Sequence, residues 1–159
     1  MNFLQHVYYL NVDPSQMDTQ FQPFLIRGER TDSSESLEDR TTRIIQLAID
    51  RKYPHILLIN EPIKIVNPSL LLRQLEEVNS LIDWNVVCLD ADYTKPYYRH
   101  SDSCIRVYSI QNVKAYLIHS SYYHTFLNTS PQNRLLLPRA DRWYMITPRS
   151  EHTTSASYL

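Results

Sequence analysis

The chain has almost no glycine: Gly28 is the single one in 159 residues. A P-loop or dinucleotide cradle needs several glycines, so that backbone N–H groups can close on a pyrophosphate, and both fingerprints are excluded. An excess of one charge is also missing. The balance of 16 basic against 17 acidic residues leaves a net charge of −1, which is not the basic footprint of a nucleic-acid-binding domain. No apolar run approaches the length that crosses a bilayer, so the chain is expected not to span a membrane. The first ten residues lack the basic stretch and apolar core of a secretory signal, which makes a cytoplasmic location the expectation. Cysteine is scarce as well. Cys88 and Cys104 both lie in strand-like runs and read as buried free thiols, with a disulfide or a metal pair as the alternative.

What is present suits one folded domain. The length permits a real core, and the hydrophobic and charged shares, 43% and 21%, are those of an ordinary globular protein rather than a disordered one. The 12 tyrosines either fill strands or serve sugar stacking and protein interfaces.

The organising stretch is 52–65. Its apolar run 56–59 ends abruptly in Asn60 and Glu61. A short apolar run bounded in this way reads as a strand buried on both faces. Ligands of open α/β sheets sit at the carboxyl ends of such strands, which makes Asn60 and Glu61 candidate ligand-facing residues. Earlier, 6–12 reads as the first strand, halted by a turn at Asp13 and Pro14, and 21–26 as a second, shorter strand. A polar loop at 27–34 leads to a helix over 37–51, opened by the capping-box pair Ser36 and Asp39 and stopped at Tyr53 and Pro54. Asn67 and Pro68 make an N-cap and first-turn pair for a helix over 69–81. Strands follow at 85–89, 104–108 and 113–118, with a polar aromatic loop at 93–102 and a short helix from Ser120 or Ser121 to Asn128. From about 131 to 159 the chain reads as a loop-rich tail. Alternating strands and helices predict a single α/β domain over 1–159, a central mixed sheet flanked by helices.

Two carboxylates two residues apart, Asp90 and Asp92, end the strand at 85–89 and can point to one side of an extended chain. Such oxygen ligands suit Mn²⁺ or Mg²⁺ shared with a substrate diphosphate, where the metal acts as a Lewis acid on the leaving group. Asp141, between Arg139 and Arg142 in the local charge pattern, reads either as a solvated ion pair or as a catalyst. His119 and His124 lack helical ligand spacing, and the other histidines are isolated in sequence.

The ordered landmarks resemble family 25 glycosyltransferases, the group containing lipooligosaccharide and collagen galactosyltransferases. The opening VYYLN (7–11) looks like that family's first strand, which ends in Leu-Asn or Asn-Leu. IQLAIDRKYPHILLINEPI (45–63) is similar to the helix and strand leading into its Leu-Glu-Asp-Asp motif, and DWNVVCL (83–89) to the following Trp-Asp strand. VKAYLI (113–118) looks like its Ala-Tyr-Leu-Ile segment, with Phe126 and Leu127 matching the next helix. Asp141 beside Trp143 resembles an Asp near an aromatic pair, and 148–155 resembles the closing Pro…Ser stretch. The resemblance implies a nucleotide-sugar-transferase (GT-A type) domain that moves a hexose from a nucleotide-diphosphate sugar to a glycan or protein acceptor. It places Asn11, Asn60 and Glu61 on the donor side and Asp141 toward the acceptor; the metal of such a transferase would then be carried by Asp90 and Asp92 rather than at Glu61.

The sequence departs from the family where the chemistry would be. Asn60, Glu61 and Pro62 stand where the family has Glu-Asp-Asp, so one carboxylate remains and the last is replaced by a residue with no side-chain ligand. Two readings follow. One is a hexosyltransferase with a degraded metal motif. The other is a catalytically inactive protein of this fold that needs no cofactor and works with a protein partner.

Overall fold

The computed structural model describes residues 3–21, 29–31, 34–81, 83–135 and 142–146. Among them the elements run β1 (Val7–Tyr9), α1 (Pro14–Phe21), β2 (Glu29–Arg30), α2 (Leu37–Asp50), β3 (His55–Ile59), α3 (Pro68–Leu81), β4 (Val86–Tyr93), β5 (Tyr97–Arg99), β6 (Cys104–Val107), β7 (Ile110–His119), α4 (Tyr123–Asn128) and β8 (Trp143–Ile146). A 3-10 turn at Ser120–Tyr122 leads into α4. The described strands form one mixed sheet, ordered β2-β1-β3-β7-β4-β8-β6-β5.

The expected central mixed sheet flanked by helices is present. Strand β3 is buried on both faces, with Ile56, Leu57, Leu58 and Ile59 fully enclosed; each such side chain contributes about 1.5–3 kcal/mol relative to exposure. Its alternate residues feed two cores. One face packs Ile56 and Leu58 with Ile44 and Ala48 of α2 and Phe126 of α4. The other packs Leu57 and Ile59 with Met17 and Phe21 of α1 and Leu75 and Val78 of α3. No helix among the described residues is long and apolar enough to cross a membrane.

Three expectations are corrected. The turn at Asp13 and Pro14 opens α1 instead of a coil, because Asp13 Oδ1 accepts from Ser15 N at 3.0 Å and Pro14 occupies the first helical position, where a missing N–H costs nothing. Met17 and Phe21, one turn apart, then seal the helix to the sheet; the rest of the strand expected at 21–26 lies outside the described residues. The loop expected at 93–102 contains β5 and the end of β4, paired antiparallel onto β6 and β7. The tail from 131 is not loop throughout. Within it β8 is an interior strand, parallel to β4 and antiparallel to β6, with all four residues buried.

With so little glycine, left-handed backbone falls to other residues. Lys52 (φ 57°) and Asn112 (φ 52°) hold it. At Lys52 the need is geometric: its N–H reaches Ile49 O at 3.1 Å, and Tyr53 N–H reaches Ala48 O at 2.9 Å. Together these close α2 in a Schellman motif, whose left-handed position favours glycine. Lys52→Gly is therefore predicted to raise stability by about 1 kcal/mol, read as a higher urea midpoint at unchanged slope. A lower midpoint would show that the lysine side chain is needed.

Candidate functional site

Strands β1, β3, β4 and β8 share one direction, so their carboxyl ends meet at one edge of the sheet. Glu61 follows β3 at that edge, while Asp90, expected to end its strand, lies inside β4, level with Ile59, because β4 runs on to Tyr93; their strands are not neighbours. Antiparallel β7 runs between them, with Ala115 opposite Ile59 on one side and Asp90 on the other. Two strand spacings, roughly 9–10 Å, therefore separate the two chain ends.

A cleft of about 370 Å³ opens at this edge. Leu89 and Ile146 form its sheet side, the segment 63–67 and the first turns of α3 form the opposite wall, and Asp90 lines it beside Lys64, Asn67 and Gln74. Asn67 Oδ1 accepts from Leu70 N at 3.1 Å, capping α3 where the helix meets the cleft. The volume suits a small-molecule site, a mostly apolar hollow with a few polar groups. Asp90 is half-buried there.

The other sequence-derived residues go elsewhere. Asp92 is exposed, absent from the cleft lining, and its Oδ2 accepts from Asn112 Nδ2 at 2.8 Å. The β4–β7 pairing slips between Cys88 and Asp90 and again between Asp90 and Asp92, which breaks the simple alternation that would keep both carboxylates on one side. Glu61 is exposed, its N–H held by Lys114 O. Asn60 is buried and faces the opposite side of the sheet: its Nδ2 donates to Val113 O at 3.3 Å, its Oδ1 has no partner among the described residues, and it lines a smaller cavity of about 190 Å³ with Leu37, Tyr116, Phe126 and Arg134. Asn11 accepts from Arg40 Nη2 at 2.8 Å. Asp141 lies outside the described residues. Among the described residues no three His, Cys, Asp or Glu side chains gather as a metal site. Asp90 and Asp92 do not make a joint ligand pair: Asp90 lines the cleft and Asp92 accepts from Asn112.

Cys88 and Cys104 are free and buried, and belong to the cores on opposite faces. Burial pushes the Cys88 thiol up to about 12. It pushes Cys104 up to about 11, with a bond from Ser101 opposing the shift. Neither is a thiolate nucleophile near neutrality. Arg134, which sequence reasoning passed over, is a structural clamp: its Nε donates to Phe126 O at 3.0 Å and its Nη1 to Thr42 Oγ1 at 2.8 Å, tying the segment after α4 to α2. Nothing local in the sequence marks it.

At the amino edge, histidines that are scattered in sequence come together. Register sets His55 opposite His119, and both line a cavity of about 410 Å³ with His6 and Glu76. His55 Nε2 bonds Phe3 O at 2.8 Å while its ring stacks on Phe3. Trp84 meets His119 edge-on at 5.0 Å.

No protein-family model matches the chain, and no curated protein matches it. Among solved structures, the crystal structure of A197 from STIV is similar, with a TM-score of 0.55 over 91% of this chain and 82% of that chain at 10% identity. At that identity the likeness shows the fold alone, a mixed α/β architecture.

Burial lowers the pKa of His55, against the bond from Phe3 and with help from His119 and His6, and burial lowers His119 against the pull of Asp83. A histidine whose folded pKa lies below its free value of about 6.5 takes its proton first in the unfolded chain. Stability from these two is thus complete above about pH 6.5 and is lost as pH falls through the lower folded values. Thermal unfolding should show Tm falling on acidification below about pH 6.5, with a shallower fall in His55→Gln. An identical pH profile in that variant would remove His55 as the cause.

Proposed function

We propose that this chain is a protein of glycosyltransferase type with degraded transfer chemistry, which works by binding a nucleotide-diphosphate sugar at the carboxyl edge of its sheet. The observation that carries this reading is the division of the two carboxylates in the second half of β4. Asp90 stands in the wall of the cleft, while Asp92 is turned to Asn112. A lone carboxylate in a mostly apolar hollow accepts hydrogen bonds from sugar hydroxyls well. Lys64 at the same cleft supplies a positive charge for a diphosphate. No tyrosine is among the described lining residues.

A protein partner is the second reading, supported by β5, the last strand in the described sheet order. There Tyr98 is 61% exposed, a large aromatic surface of the kind that suits a protein interface. Tyr98 also meets Tyr108 edge-on at 5.8 Å, extending the aromatic surface.

Calorimetry with a panel of nucleotide-diphosphate hexoses, with and without Mn²⁺, tests the first reading. Saturable binding without hexose release is expected. Asp90→Asn should weaken it by about tenfold or more, ~1.4 kcal/mol, at an unchanged Tm. Turnover by the wild type would establish an active transferase instead, and an absence of saturable binding at about millimolar donor, ~4 kcal/mol of affinity, would leave the protein-partner reading.

A further inference from the structure

His55 and His119 are held as opposite tautomers on the α3 face of the sheet. Antiparallel register sets them directly across from each other, where the Cβ atoms of facing residues lie roughly 5 Å apart. His55 Nε2 meets Phe3 O at 2.8 Å. A carbonyl only accepts, so Nε2 carries the proton and Nδ1 keeps its lone pair. At His119 the order is reversed. Its Nδ1 accepts from the backbone N–H of Ser121 at 3.1 Å, a group that only donates, so the proton sits on Nε2. Buried Trp84 lies 6.2 Å from the His55 ring and 5.0 Å from that of His119, and Phe3 stacks on His55 at 4.1 Å. These contacts keep both imidazoles in place.

One acceptor, His55 Nδ1, therefore stands beside one donor, His119 Nε2–H. Neither nitrogen has a partner among the described residues, and neither belongs to the buried unpaired atoms found there, Asn60 Oδ1, Arg106 Nε and Trp143 Nε1. Both side chains are half-buried and line the cavity of about 410 Å³, so a ligand in it can reach them. Two exposed residues of α3 on the same cavity continue the alternation. Glu76 offers an accepting carboxylate. Asn79 gives its Oδ1 to Trp84 Nε1 at 3.3 Å, which leaves its Nδ2 to donate. Burial holds both imidazoles below their free pKa, so both are uncharged near neutrality.

This lining serves charged ligands badly. Among the described residues no lysine or arginine lines the cavity, so a phosphate would meet Glu76 without a cation. A metal ion would find one available lone pair on the two rings, since Ser121 occupies that of His119. A hydroxyl, by contrast, both donates and accepts. Two neighbouring hydroxyls satisfy His55 and His119 together, and others reach Glu76 and Asn79. Phe3 and the His6 ring, itself stacked on Tyr53, supply the apolar surface that the C–H face of a sugar needs. We propose that the amino edge of the sheet is a binding site for a neutral polyhydroxylated ligand, a hexose or the end of a glycan, with a diol bridging His55 Nδ1 and His119 Nε2. It lies at the opposite end of β3 from the cleft edge and does not depend on what the cleft binds.

Calorimetry on the full chain at about pH 7.5, above the free histidine value, would use free hexoses in one arm and short neutral oligosaccharides in the other. Saturable binding is expected, with the oligosaccharide tighter if glycan ends are the source and no tighter if free sugar is. His119→Phe keeps a ring and deletes the donor, and should weaken binding about tenfold. Glu76→Ala removes an exposed acceptor with no ion pair among the described residues, and should weaken it about threefold at an unchanged Tm. Acidification gives a readout that a merely structural role would not move. Protonation makes His55 Nδ1 a second donor, so wild-type affinity should hold above about pH 6.5 and fall below it; His6 and Glu76 in the cavity and Asp83 near His119 are the other titratable groups facing the pair. The proposal is overturned if no sugar saturates at about 10 mM, if both variants bind as the wild type does, or if affinity is the same on both sides of that pH. Displacement of the sugar by a nucleoside diphosphate would put it in the cleft and overturn the amino-edge site as well. Neutral sugars binding while nucleotide-diphosphate sugars fail would overturn the cleft reading alone.

Discussion

The pairing of β7 with both β3 and β4 is the constraint on which the rest of the molecule depends. One ten-residue strand, running against its neighbours, joins the half of the sheet built on β1 and β3 to the half built on β4, β8 and β6. Its backbone carries the β3 end as well, since Lys114 O accepts from both Asn60 N and Glu61 N. Its side chains feed both cores, Tyr116 and Ile118 on the α2 face, Ala115 and Leu117 on the α3 face. A slip of one residue would exchange those faces and bury polar groups, so the register is strongly specified.

That inserted strand also decides the chemistry available at the carboxyl edge. By separating β3 from β4 it keeps Glu61 from sharing a ligand with Asp90. By slipping twice against β4, around left-handed Asn112, it leads Asp92 onto Asn112 and away from the cleft. The edge thus carries distinct local environments: a mostly apolar cleft with one carboxylate, a small cavity under α2 with buried Asn60, and the Arg40–Asn11 pair at β1. At the opposite edge the same register aligns His119 with His55. A transferase reading that needs a joined metal pair has less support here than one that needs only a binding cleft.

Much of the architecture was legible from the chain. The apolar run at 56–59 and its polar stop locate β3 and its carboxyl end. Ser36 and Asp39 open α2 as the capping pattern implies, with Ser36 Oγ accepting from Asp39 N at 3.1 Å, and Asn67 with Pro68 opens α3. Where reading failed, a local signal had two meanings. Asp13 and Pro14 mark a turn or a helix start equally well, and only the burial of Met17 and Phe21 against the sheet decides for the helix. The run at 143–146 is too short to announce itself as an interior strand; the neighbouring strands β4 and β6 make it one.

Hydrophobic periodicity and cap chemistry, which act over a few residues, by themselves determined the α/β class, the positions of the main helices and the strand-end placement of Asn60 and Glu61, whereas β4 continues past Asp90 to Tyr93. They also determined that no glycine-rich phosphate loop exists. Only the tertiary structure decided which strand ends become neighbours, that Asp90 enters a cleft while Asp92 does not, that Arg40 is buried against Asn11, and that scattered histidines share an edge. Strand order and register arise from long-range packing, which no local pattern encodes, because the same alternating segment pairs equally well with several partners until the two cores select one arrangement.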